Sequence, residues 1–296
     1  MEYLFEEFKK IDKQTLFIIG NGFDIAHNIK SKYMDFKRWC ELNGHKSLVD
    51  LMTIFFSNYE EVWSNIESAL GHYDEDAIID YCKPNSQFDY DHPTRSISEV
   101  EDSPEQIFKP VLEDFKDSFD DWVNSIDITS IKPLTKFFPH ECKYITFNYT
   151  ETLEKVYGVP QNNILHVHGS RLSDKKYIIG HNNLINPNVV YDDESDLFYI
   201  QDTKKKIIEW MNEFVKHSDQ IISRESNFFS SLKNINHVIV FGHSLNEIDY
   251  SYLREVINQT GKDILWTIYY HSKKDLVNID KFVDTMHLTK VKRISN

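Results

Sequence analysis

An apolar run that leads directly into a glycine turn is the feature that most limits how this chain can fold. Residues 15–19 form the run, and Gly20-Asn21-Gly22 follows at once. The run predicts a buried strand, and glycines after a first strand allow the tight turn and close backbone approach found where dinucleotide phosphates bind. The pattern G-x-G-x-x-G is incomplete, since Ile25 stands at the third glycine position. We expect Gly20, Asn21 and Gly22 to bind phosphate, and an ordinary tight turn is the structural alternative.

Phe23 and Asp24 complete this segment. Phe23, like the turn before it, is predicted to bind the cofactor. A carboxylate beside a phosphate is electrostatically costly, so Asp24 has three interpretations: a helix cap, a hydrogen-bond partner of a ribose hydroxyl, or a group that acts on the reacting sugar. The last makes Asp24 a candidate catalytic residue.

Strands and helices alternate in the second half of the sequence. Apolar runs predict strands over residues 144–147, 164–167, 177–179, 238–241 and 264–270, with helices near 151–157, 203–217 and 249–259. This alternation predicts an α/β fold, with a Rossmann-like, mostly parallel sheet covered by helices on both faces. Ligands of such sheets bind beyond the carboxyl ends of the strands.

Helices dominate between the first two strands. Apolar residues at three- and four-residue spacing predict helices over residues 33–42, 47–56, 60–70 and 105–126. The proline-rich, acidic residues 83–104 predict a long loop, a lid or a disordered segment, and residues 182–202 are polar and irregular. We interpret residues 1–296 as one Rossmann-like domain with a helical insertion over 32–138.

Polar side chains stand at the ends of two further predicted strands. The amide of Asn148 can hold a sugar hydroxyl or a water, although a helix cap is the alternative. His166 and His168 share one face of a strand, and His168, followed by Gly169, is better placed as a general base. Partly buried, hydrogen-bonded histidines are the structural alternative.

Gly242-His243-Ser244 repeats the pattern of a strand followed by glycine. We predict that Gly242, Ser244 and Gly169 line a cofactor site with the first turn. Glu67, on a predicted helix, is a further candidate for that site, and its alternative is a solvated glutamate.

Composition disfavours several classes of function. Lys and Arg number 33 against 47 Asp and Glu, for a net charge of -14, which disfavours nucleic acid and anionic membranes as partners. The three cysteines are far apart and form neither a disulfide framework nor a four-cysteine zinc site. Because neither a signal-peptide core nor a membrane-length apolar run is present, we expect a cytoplasmic protein.

The motifs resemble the AbiH-type phage abortive-infection family over most of the chain. The residues that carry the resemblance are Ile18-Ile19-Gly20-Asn21-Gly22-Phe23-Asp24, Ala26-His27, Trp63, Glu67, Phe147-Asn148-Tyr149-Thr150 and Leu153-Glu154. This resemblance implies an antiviral effector that acts on infection.

More remotely, the order of a glycine turn, a strand-end Asn, His-Gly-Ser and a late Gly-x-Ser-Leu resembles sirtuin-like NAD-binding domains. That resemblance implies that His168 is the base, that Asn148 orients ribose or water, and that Gly20, Gly22 and Ser244 line the NAD site. The four-cysteine zinc module of deacylase sirtuins is lacking, and Thr150 replaces an expected Asp. The resemblance therefore favours NAD cleavage by water over protein deacylation.

Three functions remain open from the sequence. The first is an NAD glycohydrolase with NAD as substrate or ligand and no metal. The second is a non-catalytic nucleotide-sensing module, and the third is a metal-dependent phosphoesterase or nuclease, suggested by His166, His168, His181 and His243. Beyond a small-molecule nucleotide, the predicted partners are a second copy of the chain or a phage-derived trigger.

Overall fold

The structure is a computed structural model that describes residues 11–56, 62–83, 91–135, 138–172, 177–187 and 198–295. The chain divides into two compact units. The first unit comprises residues 1–32, 123–178 and 217–296, and the second comprises residues 33–122 and 179–216. The helical residues that follow the first strand thus cluster with a later segment of the chain.

The first unit contains a parallel sheet. Its strands are β1 (Thr15–Ile19), β2 (Lys143–Thr146), β3 (Ile164–His166), β4 (His237–Phe241), β5 (Leu265–Tyr270) and β6 (Val291–Ser295). They lie in the order β3-β2-β1-β4-β5-β6, and every neighbouring pair is parallel. The predicted α/β, Rossmann-like fold is confirmed, and β6 adds an edge strand that the sequence analysis did not predict.

Helices connect these strands and build the second unit. In chain order, the α-helices of the described residues are α1 (Gly22–Ala26), α2 (Tyr33–Leu42), α3 (Lys46–Phe55), α4 (Ile66–Leu70), α5 (Glu75–Cys82), α6 (Pro93–Ser125), α7 (Thr152–Lys155), α8 (Phe198–Asn212), α9 (Ser218–Arg224), α10 (Ser226–Ser230), α11 (Tyr250–Thr260) and α12 (Lys273–Met286). Helices α2 to α5, α8 and most of α6 belong to the second unit. In the part of the chain that the structure describes, no helix combines the length and apolar character that a membrane crossing requires.

Both faces of the sheet are buried. Successive side chains of a strand point to opposite sides, so Leu16 and Ile18 join one hydrophobic cluster while Phe17 and Ile19 join another. This explains why β1 is a nearly continuous apolar run rather than an alternating one, as expected for a parallel strand covered on both sides. The polar residues after each strand are therefore left at the end of the sheet.

Helix α6 corrects the loop predicted over residues 83–104. Residues 84–90 lie outside the described residues, but the helix already begins at Pro93. Proline suits the first helical position, where its missing N–H is not needed. Two prolines also lie inside α6. Burial of Phe108 and Phe115 on this helix outweighs the local cost of those prolines, since tertiary packing supplies most helical stability.

Other helices and strands of the structure also differ from the bounds predicted from the sequence. The strand predicted over residues 177–179 is wrong; a run of three apolar residues there forms no ladder. In the predicted helix over 60–70, residues 62–65 are not helical, because the side chain of Asn65 caps α4 by accepting from Ser68 N–H at 3.3 Å. Helix α8 begins inside the stretch predicted to be irregular, of which residues 188–197 lie outside the described residues.

Candidate functional site

The strand order of the sheet reverses between β1 and β4. Strands β2 and β3 continue outward from β1, whereas β5 and β6 continue outward from β4. Ligands of parallel α/β sheets bind at such a reversal, beyond the carboxyl ends of the strands. Gly20-Asn21-Gly22 follows β1 and Gly242-His243-Ser244 follows β4, so both predicted glycine segments meet at this point.

The backbones of these two glycine segments bind each other directly. Two N–H groups of the first turn donate to carbonyl oxygens at and after the end of β4, Gly20 to Phe241 at 3.1 Å and Gly22 to Gly242 at 2.8 Å. A third, the N–H of Phe23, donates within the turn to the carbonyl oxygen of Gly20 at 2.9 Å. The glycines therefore allow the loops after β1 and β4 to approach each other closely. A phosphate at this point would need donors other than these three, and Asn21 is exposed at the tip of the turn.

Gly22→Ala is expected to destabilise the protein. A Cβ at position 22 would lie 2.6 Å from the Cα of Gly242, and backbone cannot yield as a flexible side chain can. Overpacking of this kind costs about 1–3 kcal/mol or more. Thermal unfolding followed by circular dichroism measures the effect, with Ile25→Ala on the exposed side of α1 as control. An unchanged melting temperature for Gly22→Ala would contradict the described loop contact.

His168 and His243 both face the carboxylate of Asp249. Nε2 of His168 lies 3.5 Å from Oδ1 of Asp249, and Nε2 of His243 lies 3.3 Å from Oδ2. All three side chains are at most 8% exposed. His168 was predicted from the sequence as the base, His243 was named only among possible metal ligands, and Asp249 was given no role. The signal that could have found them is an acid shortly after a strand-end histidine.

Aromatic rings surround this histidine pair. The ring of Phe147 makes T-shaped contacts with both imidazoles, with centroids 5.3 Å from His168 and 4.1 Å from His243. Tyr149 and Tyr252 lie 6.1 Å and 6.2 Å from His168. The two imidazoles therefore lie among aromatic rings and beside the Asp249 carboxylate.

Asp24 is bound by side chains from the loop that follows β2. Oγ1 of Thr150 donates to Oδ2 of Asp24 at 2.5 Å, and Oγ1 of Thr152 donates to Oδ1 at 2.8 Å. The side chain of Asn148 also hydrogen-bonds to this carboxylate. Burial raises the pKa of Asp24 although these hydrogen bonds oppose the shift. The structure thus joins Asp24 to Asn148, and Asp24 places a carboxylate beside Thr150, where the sequence lacks an acid.

Asn148 carries a buried amide oxygen. The residue is 6% exposed, and its Oδ1 has no hydrogen-bond partner among the described residues. Leaving a buried acceptor unsatisfied costs about 1–3 kcal/mol. A ligand hydroxyl or a water that donated to Oδ1 would remove that cost.

His166 has hydrogen-bond partners of its own at both ring nitrogens. Its Nε2 lies 2.8 Å from Oε1 of Glu154, and its Nδ1 lies 3.1 Å from the carbonyl oxygen of Asn148. Both ring nitrogens are therefore engaged in holding the loop after β2. The role of His168 as the base stays a prediction.

A family model for bacteriophage abortive infection AbiH matches residues 16–270. The chain belongs to the AbiH family. The matched residues run from β1 to β5 and include the whole of the site described above. No curated protein and no solved structure matches the chain significantly. The AbiH resemblance of the sequence is confirmed, and it assigns the protein to abortive-infection defence against phage.

The remaining predicted cofactor-binding residues of this AbiH protein differ in exposure. Ser244 is exposed, and its carbonyl oxygen accepts from the side chain of Asn278 at 3.3 Å. Gly169 adopts φ 86° directly after His168, a conformation that favours glycine. Phe23 is 2% exposed within the hydrophobic cluster that contains Phe17. Ser244 thus reaches solvent, whereas Phe23 packs in the core.

Glu67 belongs to the second unit of this AbiH protein. Its Oε1 lies 2.6 Å from Nζ of Lys216, and the two side chains are 10% and 0% exposed. The alternative of a solvated glutamate is therefore wrong. Its predicted role at a cofactor stays a prediction.

The cysteines of this AbiH protein are buried thiols. Burial raises the pKa of Cys40 and Cys142 to about 12 and that of Cys82 to about 11. Thiols with such pKa values are protonated at neutral pH and are poor nucleophiles. Among the described residues, no three His, Cys, Asp or Glu side chains are placed so that they could hold a metal ion.

A groove of about 810 Å³ opens elsewhere in the first unit, beside residues 124–131. An ion pair lines it, with Nη2 of Arg171 2.6 Å from Oε2 of Glu151. The described residues that line this groove do not include His168 or Asn148. It is therefore separate from the candidate site.

The free energy of unfolding is expected to depend on pH because His27 is buried. Its Nδ1 lies 2.7 Å from the carbonyl oxygen of Phe23, an acceptor, so Nδ1 carries the proton and Nε2 accepts from the Tyr157 hydroxyl at 2.5 Å. Burial lowers the pKa of His27, which favours this neutral form. The unfolded chain takes up the proton near pH 6.5, so stability is full above that pH and falls as pH drops toward the lowered pKa, by up to about 1.4 kcal/mol per pH unit.

Denaturant unfolding of the wild type and His27→Gln between pH 8 and pH 5 tests this expectation. The difference in unfolding free energy between the two proteins isolates His27 from other titrating groups. We expect the wild type to lose more stability than the variant below about pH 6.5. If the unfolding free energies of the wild type and the variant changed in parallel with pH, His27 would have the same pKa in the folded and unfolded chain. That result would contradict the expectation.

Proposed function

We propose that this AbiH protein cleaves NAD with water at the bond between nicotinamide and ribose. What supports the proposal is the position of the two glycine segments where the strand order reverses, together with the contacts of His168 and His243 with Asp249 and of Asn148 with Asp24. Dinucleotides bind at this position in related sheets. A base, an amide and a nucleotide-binding edge are the parts that such a hydrolysis needs.

The charge pattern around His168 suits this reaction. Nicotinamide leaves as a neutral molecule from a cationic ring and needs no general acid, and the transition state resembles an oxocarbenium ion. The Asp249 carboxylate supplies negative charge near the candidate base. A cation that forms there is stabilised without a metal ion.

Each polar side chain has a role in the proposed reaction. His168 accepts a proton from the attacking water, which is typically worth about 10²–10⁴-fold in rate. Asn148 holds a ribose hydroxyl or the water through its buried Oδ1. Asp24 fixes the amide of Asn148 by hydrogen bonding, so we assign it to positioning rather than to the sugar itself.

The dinucleotide phosphates lie over the two glycine segments in this proposal. Asn21 and Ser244 are exposed there, while the N–H groups of Gly20 and Gly22 are bonded within the protein. The glycines keep side chains out of the path of the phosphates. The Asn21 amide donates one N–H to the carbonyl oxygen of Ser31 at 2.8 Å, so its second N–H and the Ser244 hydroxyl contact the phosphates.

Loss of NAD explains how such an effector would stop an infected cell. The test is to infect bacteria that carry this protein and to measure NAD and nicotinamide by mass spectrometry. We expect NAD to fall and nicotinamide to rise several-fold after infection, with no change in cells that lack the protein. Constant NAD in cultures that nevertheless resist the phage would overturn the proposal.

Binding of a nucleotide without cleavage is the second candidate. The observation that favours it is the burial of His168, which is 4% exposed and offers little access to water. Calorimetry with NAD, followed by mass analysis of the recovered nucleotide, separates the two functions. Heat of binding with fully intact NAD after phage activation would select sensing over hydrolysis.

A further inference from the structure

We propose that Asp249 is a positioning residue for His168 and that His243 is the second group that holds the Asp249 carboxylate in place. This inference deepens the proposed hydrolysis and rests on it. It assigns roles to two residues from the loop after β4 that were not among the predicted residues of the nucleotide site.

The Asp249 carboxylate divides its two oxygens between the two imidazoles. Oδ1 faces Nε2 of His168 at 3.5 Å, and Oδ2 faces Nε2 of His243 at 3.3 Å. Because all three side chains are almost fully buried, water screens these interactions little. A rotation of the carboxylate would change its contact with both rings at once.

Hydrogen bonding fixes the tautomer of His243. The N–H of Leu245 donates to Nδ1 of His243 at 2.9 Å, so Nδ1 is an acceptor and the proton is on Nε2, facing Asp249. The same carboxylate favours a proton on Nε2 of His168. The lone pair of His168 is then on Nδ1, which becomes the nitrogen that accepts a proton from water.

The position of Asp249 at the start of α11 supports a role directed at the histidines. Asp249 is the residue that precedes the helix, where an aspartate side chain normally accepts a hydrogen bond from the first turn. Its side chain makes no such capping hydrogen bond. The carboxylate thus faces the two histidines instead of stabilising its own helix.

The loop that carries His243 and Asp249 is held in an uncommon conformation. Leu245 is 1% exposed and has φ 51°, which lies in the left-handed region that leucine rarely adopts. The same residue donates the N–H that fixes His243. This conformation therefore places the loop backbone where it orients the histidine that faces Asp249.

The experiment compares the full-length wild type with Asp249→Asn. Nitrogen-15 NMR of the imidazole rings gives the tautomer of each histidine without reference to activity. We expect His168 and His243 to carry the proton on Nε2 in the wild type and His168 to shift toward the Nδ1 form in the variant. Asp219→Asn, an exposed aspartate on α9, is the matched control and should leave both tautomers unchanged.

Kinetics form the second arm. We expect Asp249→Asn to lower kcat for nicotinamide release by about 10²–10⁴-fold with little change in KM, as the loss of a positioned base predicts. A wild-type His168 that carries its proton on Nδ1, or a variant with unchanged tautomers and kcat, overturns the inference. If the wild type releases no nicotinamide, the proposed hydrolysis fails, and the tautomer measurement still decides whether Asp249 positions His168.

Discussion

His168→Ala is expected to reduce the release of nicotinamide from NAD by at least about 10²-fold, because a general base contributes about 10²–10⁴-fold to rate. The imidazole lies two residues beyond the end of β3, faces Asp249 and lies beside the ring of Phe147. The main loss should appear in kcat, since the proposed phosphate contacts come from other loops. Nicotinamide release by protein activated during infection measures the effect.

The exposed His271 supplies a matched control for this experiment. His271→Ala removes an imidazole from the surface and should retain wild-type turnover. Circular dichroism should show that both variants keep their fold. Equal turnover of His168→Ala and wild type would remove His168 from the mechanism.

Lys216→Met should lower the stability of the second unit strongly. The ammonium group of Lys216 is fully buried against Glu67 at 2.6 Å. Removal of one partner leaves an uncompensated buried charge, which costs about 3–5 kcal/mol. Denaturant unfolding measures the change, which should appear as a lower midpoint.

The double variant Glu67→Leu with Lys216→Met separates structural and functional roles of Glu67. An apolar pair of similar volume can replace a buried ion pair at little cost, so much of the lost stability should return. Retained NAD cleavage in this double variant would leave Glu67 as a structural residue. Cleavage lost from a stable double variant would support its predicted role at the cofactor, and a single variant as stable as wild type would contradict the importance of the pair.

The parts of the site that the sequence predicted are those set by local chemistry. An apolar run that ends in glycine identified β1 and its turn, because two-sided burial and tight turns leave a direct signature. The sequence placed His168 at the end of a strand, whereas β3 ends at His166 and His168 follows it; the role of His168 as base stays a prediction. The parallel sheet followed from alternation of strands and helices, and its observed order placed the glycine segments together.

The parts that the sequence missed depend on tertiary contacts. The pairing of Asp249 with His168 joins loops from two different strands, and nothing in the spacing of these residues reveals it. Helix α6 extends to Pro93 because its buried aromatic residues pack in the second unit, which local proline content cannot indicate. Residues 179–216 also belong to the second unit, which the sequence did not indicate.

A crystal structure of His168→Ala bound to NAD tests the central claim most directly. The nicotinamide ribose should lie within hydrogen-bond distance of Oδ1 of Asn148, with the phosphates near Asn21 and Ser244. NAD bound away from the end of the sheet, or with its nicotinamide ribose out of reach of Asn148, would contradict the account.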